Sequence, residues 1–427
     1  MQFETHVHRS LLSQVIAGTV TAVSVMYIVP LTPAFMQGSG FTAQESSTLA
    51  ALLCAVSTLL YALLVPKPPG VMIPGIVPLS LFGAFAANHI PWTHILGIAV
   101  CSSAVFALMS VSGLVTRAAA ATPFRLKCVV KLAIGYYLIA AAARTAGLLG
   151  GGSVLLGLKL TSQSALFLLG TAVLFAVWEF KRSRPIAILI GISVAMVGGL
   201  LLGDAELPDK IFAAPELRWI SPDISSALRF EYLDEMLTLL AVLIADVVST
   251  FEAKVSPAPD LQEADGSPVH LTRGLTASGA IGAIGPVFGT GTIIVAFEGI
   301  TGILAGGRTR VCTLVTGLLF VIMVFTAPVT SAVPAFASAV ALAFVGYNIA
   351  KYPYCDLERD RITRYLELVA LAGILCSSIA VALFGCIAAY PLFLWRKGGE
   401  ERPRAADWIA AAVSLVLLTM VLIEQIS

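Results

Sequence analysis

Residues 282–307 read GAIGPVFGTGTIIVAFEGITGILAGG, and this stretch decides the fold. It is apolar enough to lie in a bilayer, yet its glycines and Pro286 oppose a continuous helix, while Thr292, Ile293, Ile294 and Val295 favour extended backbone. Only its later part makes a good short helix. A second stretch, residues 66–90, reads PKPPGVMIPGIVPLSLFGAFAANHI. Each proline before Leu79 removes an amide donor and clashes with the preceding turn, so here too only the second part is predicted to be helical. Non-helical backbone at membrane depth survives only where protein or an aqueous cavity satisfies its amides. Paired broken helices of this kind point to a transporter's binding site, with half-helix N-termini aiming positive dipole ends at the ligand.

Working outward, hydrophobic residues make up 58% of the chain and charged residues 12%. Mean hydropathy is +0.92, beyond what a soluble domain of this length carries. Apolar runs long enough to cross a ~30 Å hydrocarbon core recur from Leu11 to Ile426 and number about fourteen. The two interrupted stretches fall third and tenth, corresponding places if the chain is two repeats of seven, and an odd number per repeat inverts the second. The expectation is an all-α polytopic membrane protein of about fourteen transmembrane segments in two inverted seven-helix repeats, with broken third and tenth helices.

Lys and Arg set the orientation, because cytoplasmic loops retain them. Lys67, then Arg117, Arg125 and Lys127, then Lys181, Arg182 and Arg184, then Lys254 and Arg273, then Arg308 and Arg310, then Lys351, Arg359, Arg361 and Arg364 all fall on one side if the N-terminus is cytoplasmic. The intervening 204–235 segment is dominated by acids such as Asp204, Glu206, Asp209, Glu216 and Asp223. Arg396, Lys397, Arg402 and Arg404 break the alternation, which makes 365–392 a bent or partly re-entrant pair rather than one crossing. Met1 to Ser10 carries an acid and histidines and does not resemble a signal peptide, so the run after it is expected to stay as the first membrane helix. The net charge of +1, with bases spread over short loops rather than gathered into a patch, carries no message of a nucleic-acid surface, and none is expected. The seven cysteines form no CxxC arrangement and read as packing residues.

Two acids stand out: Asp246 inside the apolar run 236–251, and Glu298 inside the quoted stretch. A charge near the bilayer centre costs about 2.5 kcal/mol or more, so both are candidates for binding something. Glu298, at the first turn of the tenth segment's half-helix, reads as a substrate clamp whose carboxylate accepts ligand N–H groups. Asp246 has no Lys or Arg within a helical turn, which suits a group that gains and loses a proton during transport. Ser249 and Thr250 lie beside it. Thr32, between Pro30 and Pro33, sits where prolines free backbone carbonyls. Ser80 and Phe82 begin the third segment's half-helix, and an aromatic ring there could stack on a planar ligand. Thr292 and Phe297, with the amides of 76–80 and 292–297, would complete the pocket. Ordinary packing is the plain alternative for each of these smaller candidates. Glu252 and Lys254 read as gate or surface residues, Arg144 as a snorkelling one, and His89 and His94 as no metal site. No nucleophile–base pair, metal-ligand spacing or phosphate loop occurs, which argues against an enzyme and against any cofactor.

The strings AGTVTAVSVMYIVPLTPAFM (17–36), IPGIVPLSLFGAF (73–85), TPFRLKCVVKLAIGYYLIAAAARTAGLL (122–149), ILIGI (188–192) and, most specifically, FEGITGILAGGRTRVCTLVTGLLF (297–320) resemble the nucleobase:cation symporter-2 family, the xanthine/uracil permease superfamily. The likeness is greatest to its adenine/guanine/hypoxanthine permease branch. That resemblance implies a core domain (1–120 and 236–330), a gate domain (121–205 and 331–427), an extracytoplasmic loop at 206–235, and an elevator-like movement of core against gate in a homodimer. It implies a nucleobase held by the acids matching Asp246 and Glu298, proton coupling through the same two residues with Na⁺ as the other candidate ion, and a place in a bacterial plasma membrane. The chain departs from the purine branch at Thr32, usually Asn, at Ser249, usually an acid, at Ile293 to Ala296, usually Thr and Ser, and in lacking an Asn in the third-helix motif. An organic-acid or inorganic-anion carrier of the same fold is the second expectation.

Overall fold

The computed structural model describes residues 11–121, 123–149, 159–181, 184–208, 210–255, 257–264, 267–351, 361–375, 379–397 and 403–426. Met1 to Ser10, Arg182, Asp209, Arg359 and Arg402, which enter the sequence reading, lie outside them.

The two interrupted stretches contain the only strands among the described residues. β1 (Met72–Pro74) pairs antiparallel with β2 (Ile293–Val295), with Met72 opposite Val295, Ile73 opposite Ile294 and Pro74 opposite Ile293. Two further bonds extend the ladder, Gly75 N–H to Thr292 O and Ala296 N–H to Val71 O, both 2.8 Å. Every strand residue is buried. Proline and glycine forbid helix here, and each strand is the other's source of partners where water is absent. Pro74 fits because its missing N–H is not needed at a non-hydrogen-bonded ladder position. Thr58 also brackets Met72, accepting from its N–H at 3.0 Å and donating to its carbonyl at 3.1 Å.

A short helix follows each strand. Ile76–Ala87 continues from β1, while β2 runs through Ala296 into a 3₁₀ turn, Phe297–Gly299, and then Ile300–Leu304. The first segment is broken as well, into Leu11–Val25 and Ile28–Phe35. Pro30 cannot donate to Met26 O, and Val29 N–H takes that carbonyl instead at 3.2 Å. Pro33 frees Val29 O, which Ser47 reaches at 3.5 Å, and Ser338 donates to Pro30 O at 3.1 Å.

Six helical stretches among the described residues are long and apolar enough to cross a membrane: Leu11–Phe35, Ala43–Leu64, Trp92–Val111, Cys128–Thr145, Ser162–Phe180 and Phe230–Val255. Shorter apolar helices, such as Arg310–Val324 and Ala335–Lys351, accompany them. Ala43–Leu64 packs on Arg310–Val324, and Trp92–Val111 on Leu271–Gly282. Elsewhere Phe124–Thr145 packs on Ala335–Lys351, and Ser162–Lys181 on Arg184–Leu202. Gly135 permits a close backbone approach of Phe124–Thr145 to Ala335–Lys351, since a Cβ there would stand 2.6 Å from Gly346 O on the facing helix. The 365–392 stretch is two helices, Arg361–Leu375 and Ile379–Lys397, packed on one another.

One loop device lies outside the bundle. Asp223 caps the turn Ile224–Ala227, accepting from Ser226 N–H at 3.0 Å and from the hydroxyls of Ser226 (2.7 Å) and Ser225 (2.8 Å), with His94 Nε2 at 3.6 Å. The Ser226 amide and the two hydroxyls hold its carboxyl well below the usual carboxylate range. A depressed folded-state value means that this stabilisation is present above the unfolded carboxyl's pKa of about 3.9 and is lost only as pH falls below it. Asp223→Asn is expected to lower the melting temperature at neutral pH, with the difference shrinking as thermal melts are taken towards pH 3.

Candidate functional site

Glu298 owes its position to the end of β2. The chain leaves the ladder at Ala296 and turns at once into 3₁₀ geometry, so the carboxylate projects from the first turn after the strand. Its Oε1 accepts a hydrogen bond from the Tyr27 hydroxyl. Tyr27 stands at the break in the first segment, where it is almost wholly buried. Thr301 donates to Glu298 O at 2.8 Å, and Ser24 Oγ lies 2.8 Å from Thr301 Oγ1, tying the first segment to the tenth.

A cavity of about 30 Å³ borders Glu298, lined on one side by Ser24, Phe297, Ile300 and Thr301 and on the other by Ile188, Phe344, Val345 and Asn348. That is room for about one water molecule, whereas small-molecule sites run from about 300 Å³ upward. A ligand of that size fits there only if the walls part.

Asp246, half-buried on Leu233–Val255, lies near the Thr250 hydroxyl and within electrostatic reach of both Glu298 and Lys131. Asp246 has no base within a turn of its own helix, as expected, but Lys131 of Phe124–Thr145, remote in sequence, comes within electrostatic reach of it. Ser249 donates to Asp246 O at 3.0 Å, so its hydroxyl serves the helix backbone rather than the carboxylate. Lys131, Ser249 and Glu252 form the polar part of a second cavity of about 280 Å³, otherwise walled by apolar side chains that include Val130, Val248, Leu383 and Ile387.

The fold thus brings Glu298 and Phe297 to the smaller cavity, sets Asp246 within electrostatic reach of Glu298, and leaves Thr32, Ser80, Phe82 and Thr292 apart from both cavities. Thr32 is fully buried and donates to Ile28 O at 2.7 Å within its own helix. Ser80 donates to Val77 O at 2.7 Å. Phe82 is fully buried in a T-shaped contact with Trp92, ring centroids 5.8 Å apart, so packing takes up the ring that was to stack on a ligand. Thr292 lends its carbonyl to the ladder, and its hydroxyl is buried without a partner among the described residues. The surface reading of Lys254 is corrected: it is fully buried. Tyr27 and Lys131 escaped the sequence reading; the only signal for Tyr27 was its place three residues before Pro30, and for Lys131 its being a base in an apolar run. No group of His, Cys, Asp and Glu suited to a metal occurs among the described residues.

Comparison with known proteins agrees with this architecture. Residues 12–393 match the Permease family, Xan_ur_permease. The chain is similar to the guanine/hypoxanthine permease PbuG of Bacillus subtilis (strain 168), 27% identical over 90% of this chain and 91% of that one. It is likewise similar to the guanine/hypoxanthine permease GhxP of Escherichia coli O157:H7, 26% identical over 80% of each. Among solved structures, the transmembrane domain of the cyanobacterial bicarbonate transporter BicA superposes with a TM-score of 0.64 at 16% identity, covering 89% of this chain and 98% of that one, a likeness of fold alone. With a family match that runs from the first apolar segment into Ile379–Lys397, this chain belongs to the Permease family, and is an integral membrane transporter rather than an enzyme.

Proposed function

We propose that the protein is a secondary active transporter that carries a purine or related nucleobase across a bacterial plasma membrane, coupled to protons, by an elevator-type movement of a core domain against a gate domain. The observation that carries this reading is the pair of carboxylates, Glu298 and Asp246, within electrostatic reach of one another beside the strand crossing. A neutral heterocycle with ring N–H groups is a ligand that a carboxylate can hold by charge-assisted hydrogen bonds. The names of the guanine/hypoxanthine relatives support the same ligand class. An anion carrier is the poorer reading, since two adjacent acids repel an anion, and the likeness to a bicarbonate transporter extends to the fold only.

The elevator movement has a physical motive in the Glu298 cavity, which is far smaller than a base and whose walls come from the two sets of packed helices. Two inverted seven-helix repeats, a core of 1–120 with 236–330, a gate of 121–205 with 331–427, a cytoplasmic N-terminus and a homodimer complete the proposal. In the detergent-purified protein, one purine base is expected to raise the melting temperature, because a ligand that binds only the folded state stabilises it. A thermal-shift panel of purines, pyrimidines, xanthine, urate and small carboxylates tests this. Stabilisation by carboxylates alone would reject the nucleobase.

A further inference from the structure

Lys254 ends the Leu233–Val255 helix as a fully buried lysine whose Nζ has no hydrogen-bond partner among the described residues. Two glycines make its space. A Cβ on Gly70 would stand 3.2 Å from Nζ and 2.7 Å from Tyr61 Cε1, and a Cβ on Gly299 would stand 3.1 Å from Lys254 Cε and 3.2 Å from Nζ. Gly70 lies two residues before β1, and Gly299 lies four residues after β2 and directly after Glu298. The amine is therefore wedged against the backbone of both interrupted segments at once.

Among the described residues its surroundings offer no counter-charge. Ala43–Leu64 contributes the Tyr61 hydroxyl, itself buried without a partner among the described residues. Arg310–Val324 contributes the Cys312 thiol, 4.0 Å from Thr21 Oγ1, and the Thr313 hydroxyl, which accepts from Gly70 N–H at 3.1 Å. The tenth segment contributes Glu298, but that carboxylate is turned to Tyr27. On its own helix the Phe251 ring centroid is 5.8 Å away, Glu252 lines the second cavity, and Asp246 faces Glu298 and Lys131. An ammonium sealed off without an acceptor is among the costliest groups a fold can hold, and an apolar side chain of the same length would be more stable there. A lysine kept in such a place has a use if its proton comes and goes, for which the amine is well suited.

We propose that Lys254 carries the coupling proton of the transport cycle. While the two interrupted segments close on it the amine is neutral. When they move and admit water, the Nζ lone pair takes a proton from hydronium, leaving water, and on the other side of the cycle returns it to water. Because Nζ rests on Gly299, its charge state acts on the backbone that positions Glu298. This rests on the nucleobase reading above and adds the residue that would couple it to protons.

The test uses purified protein reconstituted in liposomes, with wild type, Lys254→Met and Lys254→Gln compared for hypoxanthine exchange and for hypoxanthine accumulation driven by an imposed pH gradient. The expected result is that Lys254→Met melts no lower than wild type and still exchanges hypoxanthine, yet fails to accumulate it, so that inside and outside concentrations equalise. Its exchange rate should also lose the pH dependence of the wild type. Lys254→Gln provides the same reading if the Met variant does not fold. Gradient-driven accumulation by a folded variant would overturn the proposal, and so would joint loss of stability and exchange in both variants, the mark of a packing residue. Wild type that neither binds nor exchanges hypoxanthine would overturn the substrate reading first, a failure visible before any variant is made.

Discussion

Glu298→Gln is expected to leave the protein folded and to abolish uptake of its nucleobase. The amide is isosteric, and its oxygen can still accept from Tyr27, so the link between the first and tenth segments survives. What is lost is the charge that ligand N–H groups would meet. Hydrogen bonds to a charged partner contribute about 1.5–3 kcal/mol each. Loss of two therefore reduces affinity by about a hundredfold or more. The Gln side chain also turns an N–H₂ group towards ligand donors, adding repulsion to loss. Radiolabelled uptake in cells, alongside a melting curve of the purified variant, checks both halves. A folded Glu298→Gln protein with normal uptake would remove Glu298 from the site.

The other large effect is structural. Ile294→Pro is expected to prevent folding, whereas Ile294→Val is expected to be tolerated. Ile294 is buried and lies opposite Ile73, and the alternation of an antiparallel ladder makes theirs the hydrogen-bonded position between the flanking bonds at Gly75 and Ala296. Proline there deletes a donor and strands the facing carbonyl where no water can reach it, at about 1–3 kcal/mol for the unsatisfied group, with steric conflict in the strand besides. The two strands are also each other's only regular partners among the described residues, so the loss is not confined to one bond. Removing a single methylene with Val costs about 0.5–1.5 kcal/mol. Size-exclusion profiles of the two variants in detergent separate these outcomes: a sharp peak for Val, aggregate for Pro. A sharp peak for Ile294→Pro would mean that the crossing is not needed to hold the segments together.

Much of this was legible before any coordinates, and for a local reason. Proline and glycine act on their own backbone, so the interruptions at 66–78 and 282–292 could be located from residue type alone, together with the extended run that follows in the second. Hydrophobicity acts through sums over short windows, which made the membrane class and most helices readable. Asp246 and Glu298 announced themselves because an ionisable side chain in an apolar run is costly wherever the chain folds. What the chain does with those groups depends on partners distant in sequence. Tyr27 meets Glu298 across 271 positions, and Lys131 reaches Asp246 from another helix. The pairing of β1 with β2 joins residues more than two hundred positions apart, and no local pattern specifies that register. Burial was the least legible property. Lys254 lies among charged and polar neighbours in sequence and reads as a helix end at the surface, whereas packing against Gly70 and Gly299 seals it in the interior; Phe82, which reads as a ring for a ligand, is taken up by Trp92. The sequence by itself determined the membrane class, the broken segments and the two acids, because those follow from local backbone chemistry and transfer energies. Only the tertiary structure decided which side chains meet those acids and which amine is buried without a hydrogen-bond partner among the described residues, because both depend on contacts between segments that the chain brings together only by folding.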